Sequence, residues 1–229
     1  MPDTKAIVLL SGGLDSSTAL YWALDRKKWD CHCLLFSYGQ RHDRELTSAV
    51  RLARRRKCPY RVVTMRLPWG GSELLKTKRA LPSRSLHTIG NTSIPSTYVP
   101  ARNTIFLSYA LSWADVLQCR NIVMGVNALD YSGYPDCRPA YCRAMQAVAR
   151  QGTRMGAEQR RPIRLWTPLI RMTKAQIIRL GISLKVPYED TWSCYAGRRI
   201  PCGKCDSCRL REKGFSEIGR ADPLIPRSS

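Results

Sequence analysis

Short apolar runs alternate with amphipathic stretches through the first half of the chain. Residues 5–10 end in Ile-Val-Leu-Leu, an apolar run of the kind that parallel sheets bury on both faces. A Ser-Gly-Gly turn follows, then a predicted helix over residues 16–25. Residues 31–37 (CHCLLFS) predict a second strand, and 61–65 (RVVTM) a third. Between them Leu46, Ala49, Val50 and Ala53 recur at helical spacing, predicting a helix over 43–57 that Cys58-Pro59 stops. Residues 103–118 predict a helix with Ile105, Phe106, Tyr109, Ala110, Trp113, Val116 and Leu117 facing inward. Residues 121–126 predict a fourth strand.

The stretch 68–100 breaks this pattern. It carries Gly70-Gly71, Pro82, Gly90 and Pro95 without periodicity, and predicts a long loop with one helical turn. A loop of that length inside a compact domain is usually functional. Further on, 140–150 predicts a helix and 163–167 a short strand. Thr173 and Gln176 form a capping-box pattern, and Gly181 reads as the stop of the helix they open. The alternation of strands and helices predicts an α/β fold, a doubly wound parallel sheet covered on both faces. Residues 1–185 would form that domain. Residues 186–229 would form a small cysteine-rich segment packed on it, with a loose tail from 222.

The chain has 229 residues, of which 44% are hydrophobic, enough for one sizeable core and a small appendage. No run of about 18 apolar residues is present, and the first residues lack the pattern of a secretory signal. The expectation is a cytoplasmic protein with no membrane partner, whose ten cysteines remain thiols. The net charge of +21 is less ordinary. Between residues 51 and 100, eleven basic side chains meet one acidic one, and a second basic stretch covers 150–199. An anionic substrate, a nucleotide or RNA would suit such surfaces, and so would a solvated face. Weak nonspecific nucleic-acid binding is the corresponding expectation for the cluster Arg51, Arg54, Arg55, Arg56 and Lys57.

Two motifs carry chemistry. The first is Ser11-Gly12-Gly13-Leu14-Asp15-Ser16-Ser17-Thr18, between a buried strand and a helix. Glycines allow close backbone approach, hydroxyls add donors, and the helix N-terminus offers unpaired N–H groups to an anion. No Lys follows the glycines, which excludes the Walker pattern, and the spacing is not that of a dinucleotide fingerprint. The string SGG-x-DS resembles the PP-loop ATP pyrophosphatases. The resemblance implies ATP, with its magnesium, held by residues Leu10, Ser11, Gly12, Gly13, Leu14, Asp15, Ser16, Ser17, Thr18, Ala19 and Leu20. The second motif is Cys194, Cys202, Cys205 and Cys208. Four thiols at such spacing suit one tetrahedral, structural zinc ion per chain. An iron–sulfur cluster takes the same ligands, but nothing else in the chain suggests electron transfer.

Further strings extend the likeness: Tyr38-Gly-Gln-Arg-His42, Tyr98-Val-Pro-Ala-Arg-Asn103, Gly125-Val-Asn-Ala-Leu-Asp130, Ser132-Gly-Tyr-Pro-Asp-Cys-Arg138, Thr167-Pro-Leu169, Thr173-Lys174 and Cys202-Gly-Lys-Cys-Asp-Ser-Cys-Arg-Leu-Arg211. With these, residues 6–215 resemble the 7-cyano-7-deazaguanine synthases of queuosine-precursor biosynthesis. The resemblance implies an ATP-dependent ligase. Its carboxylate substrate, 7-carboxy-7-deazaguanine, is adenylated and captured by ammonia as the amide. The amide oxygen is then adenylated and expelled to leave the nitrile. The alternative is a PP-loop enzyme acting directly on tRNA, although the chain lacks a dedicated RNA-binding domain. A non-catalytic nucleic-acid-binding module is a further rival that the intact phosphate loop argues against.

The expected catalytic residues are Asp15, Arg102, Lys174 and His42. Arg102 would bind phosphate. His42 would carry a proton for ammonia, or else cap or fringe the following helix. Lys174 opens a helix, where the dipole disfavours a cation, so a phosphate contact is expected. The expected substrate-binding residues are Tyr38, Gln40, Arg41, Asn103, Asn127, Asp130, Ser132 and Asp136. Arg41 suits a phosphate or carboxylate. Asn103 suits a base edge or a helix cap. The cluster around Asp130 and Asp136 suits magnesium, a guanine-like edge, or simply an Asx turn. The sequence is compatible with a homodimer. The resemblance does not account for the basic excess.

Overall fold

The computed structural model describes residues 4–75, 94–129 and 133–225. Five parallel strands form one sheet: β1 (Lys5–Leu9), β2 (Asp30–Ser37), β3 (Tyr60–Thr64), β4 (Asn121–Met124) and β5 (Arg164–Trp166). Their order is β3-β2-β1-β4-β5. Val8 of β1 is in register with Cys33 of β2 on one side and Val123 of β4 on the other. The chain therefore steps outward from β1 to β3, returns across the sheet, and steps outward again from β4 to β5. Between β1 and β4 the flanking connections diverge, and ligands bind at such switch points beyond the carboxyl ends of the strands.

Each face of the sheet has its own core. On one face Ala6, Val8, Cys33, Leu35 and Val123 pack with Leu20, Leu52, Ile177 and Phe215. On the other Ile7, Leu9, Leu34, Ile122 and Met124 pack with Leu107, Ala110 and Met145. The helices packed in these two cores are α1 (Leu14–Tyr21), α2 (Arg44–Arg55), α3 (Arg102–Leu117), α4 (Pro139–Gln151), α5 (Arg154–Ala157), α6 (Lys174–Ser183) and α7 (Asp206–Ser216). The doubly wound expectation holds.

Several local expectations are corrected. α1 begins at Leu14, two residues early, so Asp15 lies in its first turn, and it continues as a π-helical turn, Trp22–Arg26. α3 buries Asn103, Leu107, Ala110, Leu111 and Ala114. Tyr109 and Val116, expected inside, are 45% and 76% exposed. Apolar residues surround this helix, so periodicity selects no single face. In α2 the fully buried Leu52 replaces the half-buried Leu46 and Val50 as the deepest contact. The capping box forms as expected: Gln176 N donates to Thr173 Oγ1, and Thr173 N to Gln176 Oε1 at 2.8 Å. Gly181 is not a stop. It lies inside α6, where a Cβ would run into the Tyr188 ring and hydroxyl. Within the expected long loop a 3₁₀ turn covers Glu73–Leu75, and residues 76–93 lie outside the described residues.

The C-terminal segment shares the main core through Tyr188 and Phe215. Buried Arg211 of α7 ties it together. Its guanidinium donates to both Asp222 oxygens at 2.6 and 2.8 Å, to Thr191 Oγ1 at 2.7 Å and to the Tyr188 carbonyl at 2.9 Å. Among the described residues no helix is long and apolar enough to cross a membrane.

Candidate active site

A cleft opens at the carboxyl ends of β1, β2 and β4. Its first wall is the turn after β1. Gly12 adopts φ +86°, and a Cβ there would collide with the Glu45 carbonyl and the Ala49 amide. Only glycine lets α2 pack directly on this turn. The Ser11 and Ser16 hydroxyls lie 2.9 Å apart, and the Ser16 oxygen also accepts from Ser11 N. Ser17 Oγ donates to the Gly13 carbonyl at 2.7 Å. Across the turn, Trp192 N donates to the Gly12 carbonyl at 2.9 Å, which fastens the C-terminal segment to the loop.

Of the expected nucleotide-binding residues, Leu10, Ser11, Gly13, Leu14, Asp15 and Ser16 line the cleft. Gly12, Ser17, Thr18, Ala19 and Leu20 lie behind it. Thr18 Oγ1 bonds to the Leu14 carbonyl and the Tyr188 hydroxyl, and Ala19 and Leu20 are fully buried in the core. Lys174 reaches the cleft from α6. Its partner is not left to a future phosphate, because Nζ donates to both Asp15 carboxylate oxygens at 2.8 Å.

The second wall comes from the segment after β2 and the start of α3. Tyr38, Gln40, Arg41, His42, Arg102 and Asn103 line it, and Asn127 lines the end of β4. Gln40 fastens its own loop, accepting from Tyr38 N at 2.7 Å. Phe36 and Phe106 stack with centroids 3.8 Å apart, and Tyr38 meets Phe106 edge-on. Both rings line the cleft, together with Tyr134. This aromatic wall suits a planar ligand. The Arg102 guanidinium lies over the Tyr38 and Phe106 rings at about 6 Å. Its Nε is buried without a hydrogen-bond partner among the described residues.

Three expected roles meet other partners. Both ring nitrogens of His42 are engaged: Nδ1 accepts from Arg44 N at 3.3 Å, so Nε2 donates to the Cys194 carbonyl at 2.9 Å. Burial holds its proton affinity below that of a free imidazole. Asp136 does not line the cleft. Its carboxylate accepts from Asn103 N at 3.0 Å, serving the first turn of α3, whose own N-cap residue Ala101 has no side chain for the task. Asn103 in turn donates through Nδ2 to the Asp136 carbonyl at 3.1 Å. Asn127 spans its own loop, donating to the Met172 carbonyl and accepting from Leu129 N. Asp130 and Ser132 lie outside the described residues.

The structure adds Glu45, which lines the cleft from the first turn of α2. In the sequence an acidic residue there reads only as a complement to the helix dipole. Burial pushes its carboxyl up to about 7, against the opposing pull of Arg102. Tyr134, Tyr195 and Phe36 also line the cleft without having been singled out.

Cys194, Cys202, Cys205 and Cys208 bring their sulfurs within 4.8 Å of one another, a group able to hold a metal ion. Cys194 Sγ accepts from Ala196 N at 3.4 Å and from Cys202 N at 3.3 Å, and Cys202 Sγ accepts from Cys205 N at 3.4 Å. Amide donors directed at sulfur favour thiolates, the form a metal requires. The cluster sits beside the cleft, since Ser193 and Tyr195, which flank Cys194 in the chain, and Ser207, next to Cys208, line it.

Comparison with known proteins places this geometry. The family model described as queuosine biosynthesis protein QueC matches residues 5–219. A protein of Nostoc punctiforme named 7-cyano-7-deazaguanine synthase is 53% identical, covering 96% of this chain and 99% of its own length. One of the same name from Thermoplasma acidophilum is 49% identical, covering 98% and 92%. Among solved structures, NMN synthetase from Francisella tularensis shares the fold at a TM-score of 0.50 and 18% identity, covering 96% of this chain and 78% of that one. The phosphate loop, the aromatic wall and the four-cysteine cluster are thus features of a chain that belongs to the queuosine biosynthesis protein QueC family.

Proposed function

We propose that this enzyme converts 7-carboxy-7-deazaguanine, ammonia and ATP to 7-cyano-7-deazaguanine, using two adenylations. The observation that carries the reading is one cleft with a phosphate loop at one wall and stacked aromatic rings at the other, in a chain of this family. The deazaguanine ring would lie against Phe36, Tyr38, Phe106 and Tyr134. Its carboxylate would point toward the loop, with Arg102 as counter-charge.

The carboxylate oxygen attacks the α-phosphorus of ATP, and pyrophosphate leaves. The Ser11 and Ser16 hydroxyls and the first amides of α1 hold that pyrophosphate through donors already aimed at the loop. Lys174 neutralises developing phosphate charge, and Asp15 fixes where its ammonium group sits. Ammonia displaces AMP to give the amide. The amide oxygen attacks a second ATP, and loss of AMP with the nitrogen protons leaves the C≡N bond. Both activations convert a poor leaving oxygen into a phosphate ester. In this scheme His42 positions the cysteine segment against α2 rather than moving protons.

The cysteine cluster would hold a zinc ion, which supplies a structural cross-link. Magnesium would enter with ATP. The test is isotope exchange between pyrophosphate and ATP without ammonium. It should require 7-carboxy-7-deazaguanine and vanish in Asp15→Ala. Exchange that ignores the carboxylate substrate would refute the reading.

A further inference from the structure

The amide-forming step needs ammonia, yet at neutral pH the solution species is ammonium. A cation must therefore enter a protein of net charge +21 and give up a proton inside it. The cleft offers few groups for that task. Lys174 is a cation. Cys137 also lines the cleft, but burial pushes its thiol up to about 12. Tyr38 and Tyr134 have their phenols pushed up by burial as well. His42 has both nitrogens engaged. Of the carboxylates lining the cleft among the described residues, Asp15 is held at both oxygens by Lys174. The other is Glu45, whose carboxylate has no hydrogen-bond or ion-pair partner among the described residues.

Its position is also constrained. Gly12 packs on the Glu45 backbone so closely that no Cβ fits between them. The Glu45 backbone therefore borders the phosphate loop, and its carboxylate lies within electrostatic reach of Arg102, the counter-charge set above against the reacting carboxylate. Tyr38 at the aromatic wall is within the same reach, so the carboxylate borders the space where a carboxylate carried on a ring stacked there would be activated. Taking the function proposed above as given, we propose that the Glu45 carboxylate is the ammonium site. It holds NH₄⁺ as its counter-charge and takes one proton, leaving NH₃ beside the acyl adenylate. The nitrogen lone pair forms the C–N bond, and the C–O bond to AMP breaks with its electron pair departing on AMP. The second surplus nitrogen proton passes to water, as does the proton on Glu45, which restores the carboxylate. Burial raises the proton affinity of Glu45 above that of an ordinary carboxylate, which favours accepting a proton from ammonium.

The test compares wild type with Glu45→Gln in three assays. Carboxylate-dependent pyrophosphate exchange without ammonium reports folding and adenylation, and should stay within about threefold. Nitrile formation at subsaturating ammonium should fall about 100-fold, the usual scale for a lost general base. Hydroxylamine, already neutral at pH 7, needs no deprotonation before attack, so both proteins should trap the adenylate as hydroxamate at similar rates. An unchanged nitrile rate would overturn the assignment. Equal losses with both nucleophiles would also overturn it, as would loss of exchange in the variant. Absence of exchange in wild type would instead contradict the function on which the proposal rests.

Discussion

Lys174 Nζ lies 2.8 Å from both carboxylate oxygens of Asp15, although 159 positions separate the two residues along the chain. The pair joins the first turn of α1 to the first turn of α6, and only 8% and 17% of the two side chains is exposed. Each residue invites a functional reading by itself. Together they form a fixed ion pair at the edge of the phosphate loop, which both orders the site and costs stability when half of it is removed.

That pairing makes the two single variants differ from simple active-site knockouts. Lys174→Met leaves a largely buried carboxylate unpaired and should lower unfolding free energy by about 3 kcal/mol. Asp15→Asn/Lys174→Met should recover part of that loss, while pyrophosphate exchange stays absent in both. Urea unfolding beside the exchange assay checks the pattern. A double variant less stable than the single would show that the pair does not act as a unit.

Gly12 should tolerate no side chain. Its positive φ and the collision of any Cβ with the α2 backbone predict that Gly12→Ala displaces α2 from the loop. The expected cost is about 2 kcal/mol of stability from overpacking, with a large rise in the ATP Kd. Gly39 has φ +83° and open space around it, so Gly39→Ala carries only the backbone strain and should bind ATP far better than Gly12→Ala. Calorimetric titration with ATP distinguishes the two variants.

The cysteine cluster should bind one zinc ion per chain. Cys205→Ser should lose the metal and lower Tm, because the free energy of a structural metal site is folding free energy. The damage should reach the cleft, since Trp192 N holds the Gly12 carbonyl and His42 holds the Cys194 carbonyl. Elemental analysis with a thermal melt checks this. Iron in place of zinc, or a variant with unchanged metal and melting, would contradict it.

The basic cluster at the end of α2 is less free than its composition suggests. Arg51 and Arg55 share Asp190, Arg56 holds Asp25, and Arg54 bonds the Tyr60 hydroxyl. Polyanion binding there should be weak, with a salt slope that falls by roughly 0.7–0.9 for each phosphate contact removed. Arg54→Glu with Lys57→Glu should flatten the slope and leave nitrile synthesis nearly unchanged. Fluorescence anisotropy with a labelled RNA at several salt concentrations measures the slope. Tight, sequence-selective binding of tRNA would contradict this.

The strands and their parallel arrangement were legible because short apolar runs alternating with helices have few alternatives, whereas the strand order came only from the structure. The phosphate loop was legible because glycines and hydroxyls at a strand–helix junction serve few other purposes. The inward face of α3 was not, since Tyr109 and Val116 are as apolar as the residues it buries. Gly181 resembled a helix stop because a close contact with distant Tyr188 leaves no local trace. Asp136 looked like a ligand and instead serves the α3 terminus, and Glu45, which the sequence did not single out, faces the cleft. Each of these depends on a partner far along the chain, which periodicity and spacing do not encode.

The most direct measurement of the reaction is mass detection of products after incubating the purified protein with 7-carboxy-7-deazaguanine, ATP and ammonium. The expected product is 7-cyano-7-deazaguanine, with AMP and pyrophosphate accumulating alongside it and the amide appearing as an intermediate at early times. Carboxylate recovered unchanged while the same protein binds ATP would contradict the proposed reaction.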